Sequence, residues 1–186
     1  MPDVECRIDC CLNSDPGTGN AEPALIALGS NRGDSERTVR RAMERLGELS
    51  ARPIRKSSLW QTTPVNCPPG SPLFVNAVVG LLPRVGETPE TFLPKLRALE
   101  KEFGRQPKQV WNEPRTLDLD LITFGREIRN TPELVLPHPR AHLRRFVLQP
   151  LAEIAPELTL PGQRETVVEL LAKLQTSELL VCLGPG

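Results

Sequence analysis

Apolar and polar residues change period along this chain, and each change marks an element. Ala24–Leu28 is a short apolar run closed by Gly29-Ser30-Asn31, a turn sequence, and predicts a buried strand. Asp34 or Ser35 is placed to cap a helix whose apolar positions Val39, Ala42, Met43, Leu46 and Leu49 form one stripe. Ile54–Thr62 and Phe74–Leu82 predict strands, joined by a long loop, Thr63–Leu73, that holds Pro64, Pro68, Pro69 and Pro72. Thr88 and Pro89 open a second helix, with Phe92, Leu93, Leu96, Leu99 and Phe103 inward and Gly104 at its end. Pro94 lies inside it and removes one helical hydrogen bond, so a kink or a late start is expected. Leu117–Phe124 predicts a further strand. Beyond a Pro/His/Arg-rich stretch come an apolar helix at Phe146–Ile154 and an amphipathic one at about Thr166–Gln175.

The order of the first six elements is β-α-β-β-α-β, the split βαβ pattern. It predicts an α+β, ferredoxin-like core: an antiparallel sheet with helices on one face, followed by C-terminal helices. Residues 24–176 form the expected domain, 1–23 a disordered leader and 177–186 a tail. The leader is rich in Gly, Pro, Asp, Asn and Ser and lacks the basic and apolar regions of a secretory signal.

Composition narrows the function only a little. The chain has 186 residues, enough for one well-buried domain. Lys+Arg and Asp+Glu both number 23, so no overall field favours nucleic acid or an anionic membrane. No apolar run is long enough to span a bilayer. Five cysteines, at positions 6, 10, 11, 67 and 182, show no paired spacing, and His138 and His142 are far from them. That argues against a zinc cluster and for free thiols in a reducing cytoplasm.

The most informative run is Pro114-Arg115-Thr116-Leu117-Asp118-Leu119-Asp120-Leu121-Ile122. On a strand, Asp118 and Asp120 point the same way with Cα atoms about 6–7 Å apart, which suits shared hard cations. Two adjacent carboxylates beside a sheet core repel each other and are costly to desolvate unless something positive neutralises them. Arg115 could supply part of that charge; a divalent ion held with a polyphosphate fits better. A half-exposed strand with an incidentally acidic face is the plainer reading, but Asp is a poor strand former. The run points to Mg²⁺ and phosphate.

Ala27-Leu28-Gly29-Ser30-Asn31, Phe74-Val75-Asn76-Ala77, Pro114-Arg115-Thr116-Leu117-Asp118-Leu119-Asp120, and Leu136-Pro137-His138 with Arg144 and Phe146 downstream occur in that order. Together they resemble the 6-hydroxymethyl-7,8-dihydropterin pyrophosphokinase family of folate biosynthesis, from about Ala24 to Pro161. The resemblance implies transfer of the terminal pyrophosphoryl group of ATP to the pterin hydroxymethyl oxygen, with release of AMP. It implies that Asp118 and Asp120 hold two Mg²⁺ ions along the triphosphate. Arg105 and Arg115 match arginines beside the phosphates, and a planar guanidinium can grip two oxygens at once. Glu100, Lys108, His138 and Arg144 join Arg115 on the nucleotide side. Phe74 and Phe146 match the ring-stacking positions, and Asn76 matches the amide that reads the pterin edge. Thr62, Pro64 and Val65 form the wall where the long loop leaves its strand. The expected partners are ATP and the pterin, with no nucleic acid and no membrane, and the protein is expected to act as a monomer.

Three positions depart from the family pattern. Pro107 stands where many members carry a second arginine, two residues after the one matching Arg105. Asn112, with Trp111 before it, stands where an aromatic is frequent, and Pro139 follows His138 where an aromatic is common. The clamp over ATP is therefore altered, with Lys108 as the replacement charge, while the acidic pair and the pterin residues are intact. Two other classes remain open on residues alone. A nucleotide-sugar transferase also uses Asp-x-Asp but needs a larger nucleotide-binding sheet. A degenerate, non-catalytic ferredoxin-like nucleotide- or pterin-binding module would have no need of the acidic pair.

Overall fold

The computed structural model describes residues 22–65, 67–105 and 114–186. The central strand is β1 (Ala24–Ser30), buried along its whole length, which is why its sequence is apolar or small without alternation. Helix α1 (Ser35–Glu48) follows; Asp34 caps it by accepting the Arg37 N–H, and Val39, Ala42, Met43 and Leu46 are its buried stripe. Two short strands come next, β2 (Arg55–Lys56) and β3 (Leu59–Thr62), and then the long strand β4 (Phe74–Leu81). Helix α2 (Pro89–Glu102) starts at a Thr88 capping box and runs through Pro94. Its start is therefore not delayed, because the side-chain exchange between Thr88 and Thr91 satisfies the first turn before the proline is reached. Strand β5 (Asp118–Phe124) completes the core.

The strands order as β5-β1-β4-β3, and every pairing is antiparallel. This is the ferredoxin-like arrangement the element order predicts. Leu28, Ala77, Leu119 and Leu121 face α1 and α2, where they meet Met43, Leu46, Phe92 and Leu96 in one core.

Four features differ from the sequence expectation. First, the strand expected over Ile54–Thr62 is broken. Ser57 Oγ accepts the Val78 N–H at 2.9 Å, and the Ser58 N–H turns away to Glu153 at 2.7 Å. Lys56 pairs with Val79 and Trp60 with Asn76, four steps on one strand against three on the other, as a β-bulge requires. Second, the sheet is covered on both faces. Helices α3 (Arg145–Ile154) and α4 (Val167–Lys173) bury Val147, Leu148, Leu151, Val167 and Leu170 against Leu25, Val78 and Ile122. Third, the residues read as a tail contain strand β8 (Leu180–Gly184), which pairs with β3. Fourth, a small hairpin, β6 (Arg129–Asn130) with β7 (Val135–Leu136), precedes the Pro/His/Arg stretch. Cys67 and Cys182 are free thiols; the leader cysteines lie outside the described residues. No described helix is long and apolar enough to cross a membrane.

Candidate active site

The register of the sheet decides which side chains meet, because directly paired residues share a face. Asp118 pairs with Gly29, Gly29 with Asn76, and Asn76 with Trp60, so these four lie abreast across β5, β1, β4 and β3. One step further along, Asp120 pairs with Ala27, and Ala27 with Val78. Thr62 pairs with Phe74 on the other side of Asn76. All of them face away from α1 and α2, toward the side on which α3 and α4 pack. The acidic pair and the amide are two strand spacings apart, roughly 10 Å. Only Gly29 and Ala27 lie between them.

Asp118 is held on both oxygens. Arg105 approaches Oδ1 at 2.8 Å and Arg115 approaches Oδ2 at 2.6 Å. Arg105 also pairs with Glu100, which is buried at the end of α2. Glu100 Oε1 accepts the Leu119 N–H at 2.8 Å, tying α2 to β5. Burial pushes the Glu100 carboxyl above its ordinary value, against the pull of the Leu119 N–H and the Arg105 charge. Arg115 is fixed through its backbone: its N–H donates to Asn31 Oδ1 at 2.8 Å, and its carbonyl accepts the Asn31 N–H at 3.1 Å. Gly29 and Ser30, expected in a turn, extend β1, and Asn31, the first residue after it, is thus what places Arg115 beside Asp118.

Asp120 is the less neutralised of the pair. Among the described residues its one ion-pair partner is Arg144, with Nη1 at 3.5 Å, longer than a good hydrogen bond. Burial and then the charge of Asp118 hold its carboxyl above the usual range, although His138, Arg144 and Arg115 all pull the other way. Its side chain still keeps 39% exposure, so an ion can reach it. Among the described residues no three His, Cys, Asp or Glu side chains are grouped to hold a metal. Two carboxylates on one face, one of them short of positive charge, fit an ion that takes its other ligands from phosphate and water, as Mg²⁺ does.

The stretch after β7 closes this side. The Leu136–Pro137 peptide is cis, and the His138 N–H donates to Ile122 O at 2.8 Å, fastening the stretch to β5. His138 Nδ1 accepts the Arg140 N–H at 3.2 Å, which leaves Nε2 as the protonated ring nitrogen. Burial, with Arg144 and Arg140 nearby, lowers its pKa below 6.5 despite Asp120. These surroundings favour the neutral imidazole. Arg144 lies over the ring of Phe146, 5.3 Å from its centroid, and so joins the acidic side to the aromatic side.

On that second side Asn76 Nδ2 donates to Thr62 Oγ1 at 2.8 Å, and both residues are buried. Phe74 and Phe146 are half-buried, Pro64 is half-buried, and Val65 is exposed on the loop above. A β-carbon on Gly29 would lie 2.9 Å from Asn76 Oδ1. The amide packs where only a glycine leaves room.

Residues 25–156 match the family described as 7,8-dihydro-6-hydroxymethylpterin-pyrophosphokinase, HPPK. The chain belongs to this family. Among curated relatives, the 2-amino-4-hydroxy-6-hydroxymethyldihydropteridine pyrophosphokinase of Synechocystis is 36% identical over 81% of this chain and 75% of its own length. The enzymes of the same name from Pseudomonas aeruginosa and Bacillus subtilis are 38% and 40% identical, over 79% and 73% of this chain and 88% and 79% of their own. A crystal structure of Plasmodium falciparum HPPK-DHPS superposes with a TM-score of 0.64 at 14% identity. It covers 82% of this chain, which spans 42% of that longer one, and the likeness is one of fold. HPPK enzymes transfer the pyrophosphoryl group of ATP to hydroxymethyldihydropterin in folate biosynthesis, and this chain is an ATP-dependent pyrophosphokinase.

Most residues expected from the sequence to serve HPPK chemistry lie on this one face. Asp118, Asp120, Arg105, Arg115, Glu100, His138 and Arg144 surround the acidic side. Thr62, Phe74, Asn76 and Phe146 form the other, with Pro64 and Val65 at its rim. Lys108, Pro107, Trp111 and Asn112 lie outside the described residues. Glu100 is turned inward, on the Leu119 N–H and Arg105, so it reaches Asp118 only through Arg105. Asn31 went unassigned in the sequence, although the Gly-Ser-Asn turn and the Pro-Arg run that it joins were both recognisable there.

Proposed function

We propose that the acidic side of this face binds ATP with two Mg²⁺ ions at Asp118 and Asp120, and that the amide and aromatic side binds the hydroxymethyldihydropterin. The observation that carries this reading is the row Asp118, Gly29, Asn76 across three adjacent strands. It sets a cation site and a ring-edge reader side by side with a floor of bare backbone between them. Bound there, Mg²⁺ would neutralise phosphate oxygens and polarise the attacked phosphorus.

The chain's own residues supply position and charge. Asn76, its Nδ2 already committed to Thr62, offers Oδ1 and its remaining N–H to the pterin edge. Phe74 and Phe146 take the ring faces, and Thr62, Pro64 and Val65 form the wall. So held, the hydroxymethyl oxygen faces the β-phosphorus and bonds to it as the bond from that phosphorus to the α-phosphate oxygen breaks; AMP leaves with that oxygen, and the hydroxyl proton passes to solvent. Arg105, Arg115 and Arg144, with Lys108 from the neighbouring segment, carry the phosphate charge through the transfer. His138, whose Nδ1 already accepts the Arg140 N–H, offers Nε2–H as a hydrogen-bond donor to the nucleotide. The activity belongs to residues 24–184, because β8 is part of the sheet that carries the site, and we expect a cytoplasmic monomer.

The test is AMP release in the presence of ATP, the pterin alcohol and Mg²⁺. All three should be required, and Asp118→Ala should lower turnover by about a hundredfold or more, the scale of a lost charge-stabilising group. AMP release without the pterin, or a silent Asp118→Ala, would overturn the assignment.

A further inference from the structure

Helix α3 carries Phe146 in its first turn, yet its N-terminus has no cap of its own. The Arg144 side chain at the N-cap position makes no capping bond, and the first turn holds no acidic residue. Two arginines, Arg144 and Arg145, stand there instead, against the positive end of the helix dipole. The missing acceptor comes from more than thirty residues away. Glu178 Oε2 accepts the Phe146 N–H at 3.0 Å, and the glutamate is only 6% exposed. A carboxylate buried so far is costly without a partner. Its partner here is the free N–H of the residue whose ring lines the pterin side, and the Arg144 guanidinium feels its charge.

The same segment reaches the opposite wall. Leu179 and Thr63 are zipped together: the Thr63 N–H donates to Leu179 O at 3.2 Å, and the Leu179 N–H donates to Thr63 Oγ1 at 3.2 Å. The next residue, Leu180, pairs with Thr62, the acceptor for Asn76. Glu178–Leu180 thus links the start of α3 to the end of β3, the two elements that flank the pterin side. It lies beyond residue 156, where the family match stops.

We propose that Glu178 is a positioning residue for the pterin site, holding Phe146 in pose through its N–H. This rests on the reading of Phe146 as a ring-stacking residue. Three variants of the full chain test it, Glu178→Ala, Glu178→Gln and Glu178→Asp, with Phe146→Ala as reference. The readouts are KM for the pterin and for ATP, and the affinity for each ligand by calorimetry. Glu178→Ala should raise the pterin KM about tenfold, as loss of a charge-assisted hydrogen bond does, and leave the ATP KM within about twofold. Glu178→Gln keeps an acceptor of the same shape and should recover most of the loss. Glu178→Asp keeps the charge but withdraws it by one methylene, and should raise the pterin KM several-fold. If Glu178→Ala does not fold, Glu178→Asp decides. An unchanged pterin KM in the folded variants, or equal losses for both ligands, would overturn the proposal. Weak pterin binding by Phe146→Ala beside silent Glu178 variants would remove this inference alone. A silent Phe146→Ala would remove the stacking reading with it.

Discussion

Asn76 Nδ2 and Thr62 Oγ1 are joined by a 2.8 Å hydrogen bond between neighbouring strands, and both side chains are almost wholly buried. The bond fixes which way the amide faces, and so which edge of a ring it can read. Thr62→Val keeps the shape and removes the acceptor. A buried amide left short of a partner costs about 1–3 kcal/mol, so the melting temperature should fall. Pterin affinity should fall with it, because the amide is free to turn. Binding of a non-hydrolysable ATP analogue should stay close to wild type. Calorimetry with each ligand separates the two, and an unchanged pterin affinity would show that the amide orientation is set elsewhere.

Gly29 makes a sharper version of the same test. Gly29→Ala puts a methyl 2.9 Å from Asn76 Oδ1 and 3.8 Å from a Phe74 ring carbon. The backbone there is β-strand, so the glycine is needed for space and not for a left-handed conformation. The amide must turn or shift, and the pterin KM should rise about tenfold or more while the sheet still forms. A pterin KM equal to wild type would mean that Asn76 yields without consequence and does not read the ring.

These two residues also show what the sequence could and could not reveal. Leu117, Leu119 and Leu121 alternate with Asp118 and Asp120, so the strand, its buried face and the acidic pair follow from a period of two. The α1 stripe and the Thr88-Pro89 start of α2 were legible for the same local reason. Strand β8 was not. Leu180–Gly184 reads as an apolar tail, and it becomes a strand only because β3 offers an open edge. The break at Ser57 was hidden as well, since a serine hydroxyl replacing a backbone acceptor leaves no periodic trace. Glu178 as the cap of α3 was beyond reach, because a cap supplied from more than thirty residues away has no local signature. Motif strings carried Phe146, His138 and Arg144 to the site, where their spacing alone would have left them ordinary.

Asp120 sets function against stability. Burial and Asp118 raise its folded-state pKa above 3.8, with the neighbouring cations already opposing that rise. A carboxyl raised in this way favours the fold while it is protonated. That contribution is present below about 3.8 and is lost as pH climbs from there through the folded value. Asp120→Asn stays neutral throughout. It should match the wild type in thermal stability near pH 3 and exceed it at pH 7, while losing most Mg²⁺-dependent turnover. A variant less stable than wild type at pH 7 would mean that the ion pair with Arg144 outweighs the desolvation of Asp120.

Asp118 leads to a different expectation, because Arg105 and Arg115 occupy both of its oxygens. On the proposed reading the carboxylate competes with phosphate for two guanidiniums. Binding ATP with its metal would then exchange these pairs, so that the arginines turn to phosphate and Asp118 to the cation. Asp118→Ala frees Arg115 and leaves Arg105 on Glu100 alone, while deleting the proposed metal ligand. In EDTA the variant should bind an ATP analogue several-fold more tightly than wild type, since one carboxylate fewer competes for the guanidiniums. With Mg²⁺ the order should reverse and turnover should be lost. Raising the salt should weaken the metal-free binding of the variant more than that of the wild type, as expected where partly exposed charges supply the affinity. Equal loss of analogue binding with and without Mg²⁺ would mean that Asp118 holds the arginines in place for ATP rather than competing with it.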